Sequence, residues 1–333
     1  MKKDKPNKKK KLNLFSYDNI PLNNNEKYLL KKKGINFFEK PSKNKKELIE
    51  NLSKFTKKNK INAILTRLGI EFNHEIYKFL SKPKILLSYT TGLNHVLIDR
   101  RMKDLKIFNL ERSDIDLRNV PSTAEFTIGL ILNLIRKINI AISDTKNGYW
   151  RRELFIGRQL KDLKIGIIGC GRIGSQVSKY CKAFNAKVYS YDILKKKKNI
   201  SLQYILRNSD VISLHLNYKK NLKGFFNKKK FNLMKKNSYF INTSRGELVN
   251  ENDLISAIKE KNILGAAIDV LNKDSISEKK ITTKSMLKII KFSKSNENLI
   301  VTPHLGGATL DAMKTTRGIV IEKLFKYFKK YQS

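Results

Sequence analysis

The apolar positions along the 333-residue chain come in short runs divided by amphipathic stretches, the rhythm of strands alternating with helices. Residues 12–17, 35–38, 61–66, 84–89 and 106–110 read as strands, and residues 46–58 carry apolar side chains at helical spacing between two of them. A second series follows. Residues 163–168, 186–191, 210–216, 238–242, 264–268 and 299–301 are again short and apolar, which predicts a six-stranded parallel sheet with both faces covered. Residues 306–331 then form one long amphipathic helical pattern able to run back to the first series.

Between the two series, Pro121-Ser122-Thr123-Ala124-Glu125 predicts a helix start, with Ser122 as N-cap and Glu125 completing a capping box. Phe126, Ile128, Leu130, Ile131, Leu132, Leu134, Ile135, Ile138 and Ile142 then cover most of that helix's circumference. One sheet cannot cover so wide an apolar surface, so a second copy of the chain is the expected cover and a homodimer the expected state.

Directly behind the strand at 163–168 comes Gly166-Ile167-Ile168-Gly169-Cys170-Gly171-Arg172-Ile173-Gly174, with the spacing G-x-G-x-x-G. At such a strand-to-helix turn, Gly169 permits the tight bend and Gly171 lets backbone approach a pyrophosphate. Gly174 lets helix and strand pack, and the helix N-terminus offers N–H donors to the anion. A glycine-rich turn alone also occurs for packing reasons. Asp192 changes the balance, because it closes the next strand eighteen positions after Gly174, where a carboxylate accepts from ribose hydroxyls and repels a 2′-phosphate. The expected cofactor is NAD.

The expected fold is therefore α/β in two domains. A Rossmann doubly wound parallel sheet, residues 119–305, is inserted in a smaller flavodoxin-like α/β domain made of residues 1–118 and 306–333, which has no phosphate-binding glycine cluster of its own and is assigned to the substrate.

A 40% hydrophobic content is enough for two cores and excludes a disordered chain. The net charge of +41 would by itself point to nucleic acid. Lysine is spread along the whole chain with abundant Asn and Ile, however, which reads as solvated surface without a specific nucleic-acid partner. Cys170 and Cys181 are the two cysteines, and neither has metal-ligand spacing, so reduced thiols in a cytoplasm and no metal are expected. The lysine-rich start lacks the apolar core of a secretory signal, and the longest apolar stretch, residues 126–135, is too short to span a bilayer.

Three polar residues fall just past predicted strand ends: Arg245 in Asn242-Thr243-Ser244-Arg245-Gly246, Asp269 after Ile268, and His304 after Thr302-Pro303. Beside a dinucleotide, a histidine exchanges a hydroxyl proton and an arginine holds an adjacent carboxylate, which is the equipment for hydride transfer at a carbon bearing oxygen. A structural salt bridge for Arg245 and a satisfied loop histidine for His304 are the plainer alternatives. In Thr90-Thr91-Gly92-Leu93-Asn94, backbone amides around a glycine at a strand's end can hold a carboxylate, or the loop is mere punctuation. His74, His95 and His215 read as ordinary structural histidines.

Taken together these motifs resemble the D-isomer-specific 2-hydroxyacid dehydrogenases, a family that includes D-3-phosphoglycerate dehydrogenase and glyoxylate/hydroxypyruvate reductases. The resemblance runs from Asn62 to about Tyr327 and includes Leu65-Thr66-Arg67-Leu68-Gly69, Gly148-Tyr149-Trp150, Ile268-Asp269-Val270 and Thr302-Pro303-His304-Leu305-Gly306-Gly307. It implies that Arg245 fixes the substrate, that His304 is the acid/base and that Asp274 pairs with it. It also implies that Asp269 lies near the nicotinamide, and that Arg172 and Ile173 touch the pyrophosphate; Thr243 is a further expected cofactor contact. The substrate, a small 2-hydroxy or 2-oxo acid, is expected between Arg245 and the amides of Thr91, Gly92, Leu93 and Asn94. Arg67 is either a phosphate-binding group or an exposed arginine at a strand end. Two departures stand out. The chain has Asp274-Ser275 where the family has Glu-Pro, and Asn217 and Leu222 where it has proline and threonine. The other reading of the same fold is an NAD-sensing, corepressor-like binding protein without turnover.

Overall fold

Parallel strands need helical crossovers, and the chain supplies one after nearly every strand. The computed structural model describes residues 11–66, 69–93, 95–111, 113–194, 200–272 and 283–332. Arg67, Asn94 and Asp274 lie outside them. The described chain divides into two units, one running to Asn119 and resuming at Leu310, the other between Val120 and Thr309.

The first unit contains β1 (Leu12–Ser16), α1 (Asn24–Lys32), β2 (Ile35–Glu39), α2 (Lys45–Thr56), β3 (Ile61–Thr66), the short α3 (His74–Tyr77), β4 (Leu80–Ser88) and β5 (Lys106–Asn109). All its pairings are parallel, in the flavodoxin-like order β2-β1-β3-β4-β5. Asparagines start its helices. Asn23 Oδ1 accepts from the Glu26 N–H at 2.9 Å while the Glu26 carboxylate accepts from the Asn23 N–H, and Asn44 Oδ1 accepts from the Glu47 N–H at 3.0 Å. Phe15, Ile64 and Leu86, on three adjacent strands, pack with Leu48 and Leu52 of α2 into a buried core.

The second unit begins with α4 (Ser122–Ile135) and α5 (Ile138–Lys146). It continues through β6 (Lys164–Ile168), α6 (Arg172–Ala183), β7 (Lys187–Tyr191), α7 (Leu202–Asn208), β8 (Val211–Leu214) and α8 (Lys228–Phe231). Then come β9 (Tyr239–Asn242), α9 (Glu251–Lys259), β10 (Gly265–Ile268), α10 (Lys284–Ser295) and β11 (Leu299–Val301). The six strands are parallel in the order β11-β10-β9-β8-β6-β7, so the chain reverses direction across the sheet between β6 and β8. Ile165 and Ile167 share one buried cluster with Ala124, Ile131 and Val177, whereas Ile168 joins the cluster of Ile205 and Leu206 on the other face. Gly166 faces α7 so closely that an added Cβ would lie 2.6 Å from both Ile205 Cγ2 and Ser209 Oγ.

The chain then returns to the first unit as α11 (Leu310–Gln332). There the buried Arg317 donates from Nη1 to the Ile20 carbonyl at 2.8 Å, and Lys323 Nζ pairs with Asp114 Oδ2 at 3.0 Å. Among the described residues no single helix is long and apolar enough to cross a membrane.

Two expectations around α4 need correction. Ser122 is the first helical residue and not the cap, its buried hydroxyl has no hydrogen-bond partner among the described residues, and no capping box forms. The apolar pattern also does not run as one helix. It breaks at Arg136 and Lys137, where Lys137 takes a left-handed φ of 53°, and α5 leaves at a bend of 64°. Most of α4's apolar side chains, Leu134 included, are buried within their own unit, while Ile138 and Ile142 of α5 are exposed.

Candidate active site

The reversal point of a parallel sheet leaves a crevice outside the strand ends, and the glycine turn sits there. The Gly169 N–H donates to the Tyr191 carbonyl and the His215 N–H to the Ile168 carbonyl, each at 2.7 Å, so the turn is seated between β7 and β8. Gly169 has φ +97°, and an added Cβ would meet the His215 carbonyl oxygen at 2.6 Å, so only glycine fits. At Gly174 a Cβ would run into the Gly169 carbonyl. Gly171 is the opposite case: a Cβ there would have nothing within 4 Å, which leaves the start of α6 open to a ligand.

Around this turn, Asp192 is nearly buried and braces the loop. Its Oδ2 accepts from the Cys170 N–H at 2.8 Å and its Oδ1 from the Leu194 N–H at 2.9 Å. Arg172 donates from Nη1 to the Val120 carbonyl at 2.9 Å, and burial lowers the pKa of its guanidinium. Ile173 packs on the cluster under α4. An open anion approach at a helix start, followed by a carboxylate at the end of the next strand, fits NAD. Among the described residues no group of three His, Cys, Asp or Glu side chains could hold a metal ion.

On the other side of the reversal, β9, β10 and β11 are neighbours, and each is followed by one of the three polar residues. Asn242, the last residue of β9, shapes the first turn: its Oδ1 accepts from the Ser244 N–H and hydroxyl, and its Nδ2 donates to the Arg245 carbonyl at 3.1 Å. Arg245 is half-buried and donates from Nη1 to the Ser244 carbonyl at 2.6 Å. Thr243 Oγ1 lies 2.8 Å from Thr127 Oγ1 of α4, so α4 is tied to this turn. A Cβ at Gly246 would overlap the Leu271 backbone, which means that the Arg245 turn and the loop after β10 are in direct contact.

Asp269 holds the third turn. Its Oδ1 accepts from the Thr302 hydroxyl at 2.6 Å and the Leu305 N–H at 2.7 Å, and its Oδ2 accepts from the Gly306 N–H at 2.8 Å. Burial raises the pKa of its carboxyl, opposed by these hydrogen bonds and by the charge of His304. His304 takes a left-handed φ of 57°, sparsely populated for any residue other than glycine.

The structure thus brings Asp269 and His304 together, and Gly169 and Gly171 beside Asp192. Thr91, Gly92 and Leu93 belong to the first unit. There Thr90 Oγ1 donates to the Gly92 carbonyl at 2.7 Å and meets Ser88 Oγ at 2.9 Å, and Ser88 Oγ is 3.4 Å from the buried His95 Nε2. Burial pushes the His95 imidazole down to about 4, so it is neutral at physiological pH. Sequence reasoning missed Asn242, Thr127 and Glu251. Glu251 is buried, accepts from the Asn272 N–H at 2.7 Å and from the Ser285 hydroxyl, and so joins the two segments that flank residues 273–282. A polar residue inside a mostly apolar helix, as Thr127 is, was the available signal.

Residues 128–306 match the family model of the D-isomer specific 2-hydroxyacid dehydrogenase NAD binding domain. The chain belongs to the D-isomer-specific 2-hydroxyacid dehydrogenases. It is thus an NAD-dependent dehydrogenase. A Staphylococcus haemolyticus protein named as a 2-hydroxyacid dehydrogenase is 34% identical over 79% of this chain and 81% of its own length. The Archaeoglobus fulgidus D-3-phosphoglycerate dehydrogenase is 29% identical over 89% of this chain and 54% of its own. Among solved structures, Aquifex aeolicus D-lactate dehydrogenase complexed with NAD and lactic acid superposes with a TM-score of 0.72 at 26% identity, covering 96% of each chain.

Proposed function

We propose that this dehydrogenase interconverts a small D-2-hydroxy acid and its 2-oxo acid, in the size range of glyoxylate, hydroxypyruvate and 3-phosphohydroxypyruvate. When bound, NAD supplies the hydride acceptor. His304 takes the substrate's hydroxyl proton in one direction and returns it in the other, with Asp274 favouring the imidazolium. Arg245 binds the carboxylate, and the amides of Thr91, Gly92, Leu93 and Asn94 are assigned to the same acid. Gly169, Gly171, Arg172, Ile173, Gly174, Asp192, Thr243 and Asp269 are assigned to the cofactor.

One observation carries this reading: Arg245 and His304 each follow three residues after the end of a strand, with Asp269 directly after the strand between them. This supports an acid/base and a carboxylate binder, because both residues follow strand ends on the edge where a parallel sheet binds its ligand, the edge that also holds the glycine turn. The test is NADH oxidation with glyoxylate, hydroxypyruvate and 3-phosphohydroxypyruvate, in wild type and Arg67→Ala. A phosphate preference that disappears with Arg67 assigns phosphoglycerate chemistry, equal turnover assigns a general 2-oxo acid reductase, and no turnover of any acid overturns the enzymatic reading.

The homodimer is proposed on a revised surface. Ile138, Ile142, Leu154, Ile156 and Trp150, the last 89% exposed, form an apolar run along α5 and the segment after it that a second copy would cover. Light scattering of wild type against Trp150→Glu measures it, and a wild-type monomer at micromolar concentration removes the idea. Cys170 and Cys181 as free thiols suit a reducing, cytoplasmic workplace.

A further inference from the structure

At the starts of β1, β2 and β3 the first unit has a cavity of about 440 Å³ lined by Lys11, Lys58, Lys60 and Lys82 with Asn13 and Asn36. Pro83 and Phe328 form its apolar wall. Thr90, which opens the Thr91-Gly92-Leu93 loop, stands past the other end of β4, eight residues and roughly 25 Å from Lys82 at strand rise. The cavity is therefore separate from the Thr91-Gly92-Leu93 loop assigned to the substrate.

Lysines are everywhere in this chain and most have no ion pair among the described residues, yet two features single out these four. First, they line one cavity together without an ion pair. Lys27, Lys45 and Lys84 reach Glu39, Glu75 and Asp104, whereas none of the four cavity lysines is in an ion pair among the described residues and no carboxylate lines the cavity. Asp104, which feels the charge of Lys82, is already engaged by the Tyr77 hydroxyl and the Lys84 ammonium. Second, the floor beneath them is built. Asn36 Nδ2 donates to Asn13 Oδ1 at 2.9 Å, and Asn13 Nδ2 donates to the Lys60 carbonyl at 2.7 Å. Asn62 Oδ1 accepts from the Asn13 N–H at 3.0 Å, and its Nδ2 donates to the Lys82 carbonyl at 2.9 Å. Two asparagines thus fix the backbone from which Lys60 and Lys82 extend.

We propose that this cavity binds a small anion carrying two or more phosphate groups. Four lysines with no carboxylate beside them in the lining give the cavity a positive potential, and an anion of three to four negative charges offsets it. Ammonium groups are compact point charges suited to phosphate oxygens, and asparagine amides add neutral donors. The volume lies within the about 300–1,000 Å³ of small-ligand pockets. A concave site with a fixed floor favours a small ligand over a nucleic-acid duplex, which would need an extended basic stripe.

The experiment is calorimetric titration of the full chain with inorganic triphosphate under saturating NADH, which occupies the pyrophosphate site. One triphosphate is expected to bind per chain, and Lys60→Ala/Lys82→Ala to weaken it about a hundredfold, taking about tenfold per lysine. Lys27→Ala/Lys45→Ala, which removes two lysines already paired with carboxylates, should leave the affinity unchanged, as should all variants the affinity for NADH. The assignment fails if binding vanishes under saturating NADH, or if the Lys60/Lys82 variant binds as wild type does. It fails equally if citrate binds as well as triphosphate, or if duplex DNA displaces triphosphate from the wild type and binds more tightly.

Discussion

The main-chain N–H of His304 donates to the carbonyl of Asp269 at 2.9 Å, while the Asp269 carboxylate takes the amides of the two residues after the histidine. One residue at the end of β10 therefore holds a left-handed turn at the end of β11. Asp269→Asn keeps the shape but turns one acceptor oxygen into an N–H donor facing another donor. A misplacement of His304 by about 1 Å is expected to lower kcat by about a hundredfold. The unpaired group should also cost about 1–3 kcal/mol of stability, seen as a lower urea midpoint. Unchanged kcat would show that the turn holds itself.

Asp192 braces the glycine turn and is the carboxylate proposed to face the ribose of the cofactor. Asp192→Ala should shrink the ratio of kcat/KM for NADH over NADPH, because the repulsion of a 2′-phosphate disappears. A ratio that stays the same would assign the carboxylate to bracing alone.

For His304 the informative replacement is asparagine, which tolerates the observed φ of 57° and so keeps the turn while removing the imidazole. A loss of several orders of magnitude in kcat with near-native thermal stability is expected. If Asp274→Asn leaves the pH profile of kcat unmoved, Asp274 is not the partner of His304, and Glu278 becomes the next candidate.

His95 and His215 sit one in each unit, and burial holds both imidazoles near about 4 against an ordinary 6.5. A depressed histidine disfavours the proton in the folded state, so its contribution is complete above about 6.5 and is lost as pH falls through about 4. Each contributes on the order of 3 kcal/mol to that loss. Urea unfolding of wild type should weaken steeply across this window, and His95→Gln/His215→Gln should flatten the slope. Equal slopes would mean that carboxylates alone carry the acid sensitivity.

Strand positions were legible in the sequence because apolar runs and the parallel-sheet pattern are local properties; each of the eleven expected runs overlaps a strand, although β4 begins at Leu80, four residues before the expected start. The glycine turn and Asp192 were legible for the same reason, since spacing along one βαβ unit sets their separation in space. Ser122 and the end of α4 were not. Capping and helix termination there depend on what the first turn packs against and on the left-handed Lys137, neither of which leaves a periodic signal. Likewise the sequence placed Arg245, Asp269 and His304 each at a strand end, but the grip of Asp269 on the His304 turn joins residues thirty-six positions apart. The roles of Asn242, Thr127 and Glu251, and the unpaired lysines over an asparagine floor, arise the same way. Local pattern determines which elements form, while hydrogen bonds between elements distant in sequence decide which side chains are held, and only the tertiary structure brings those partners within about 3 Å.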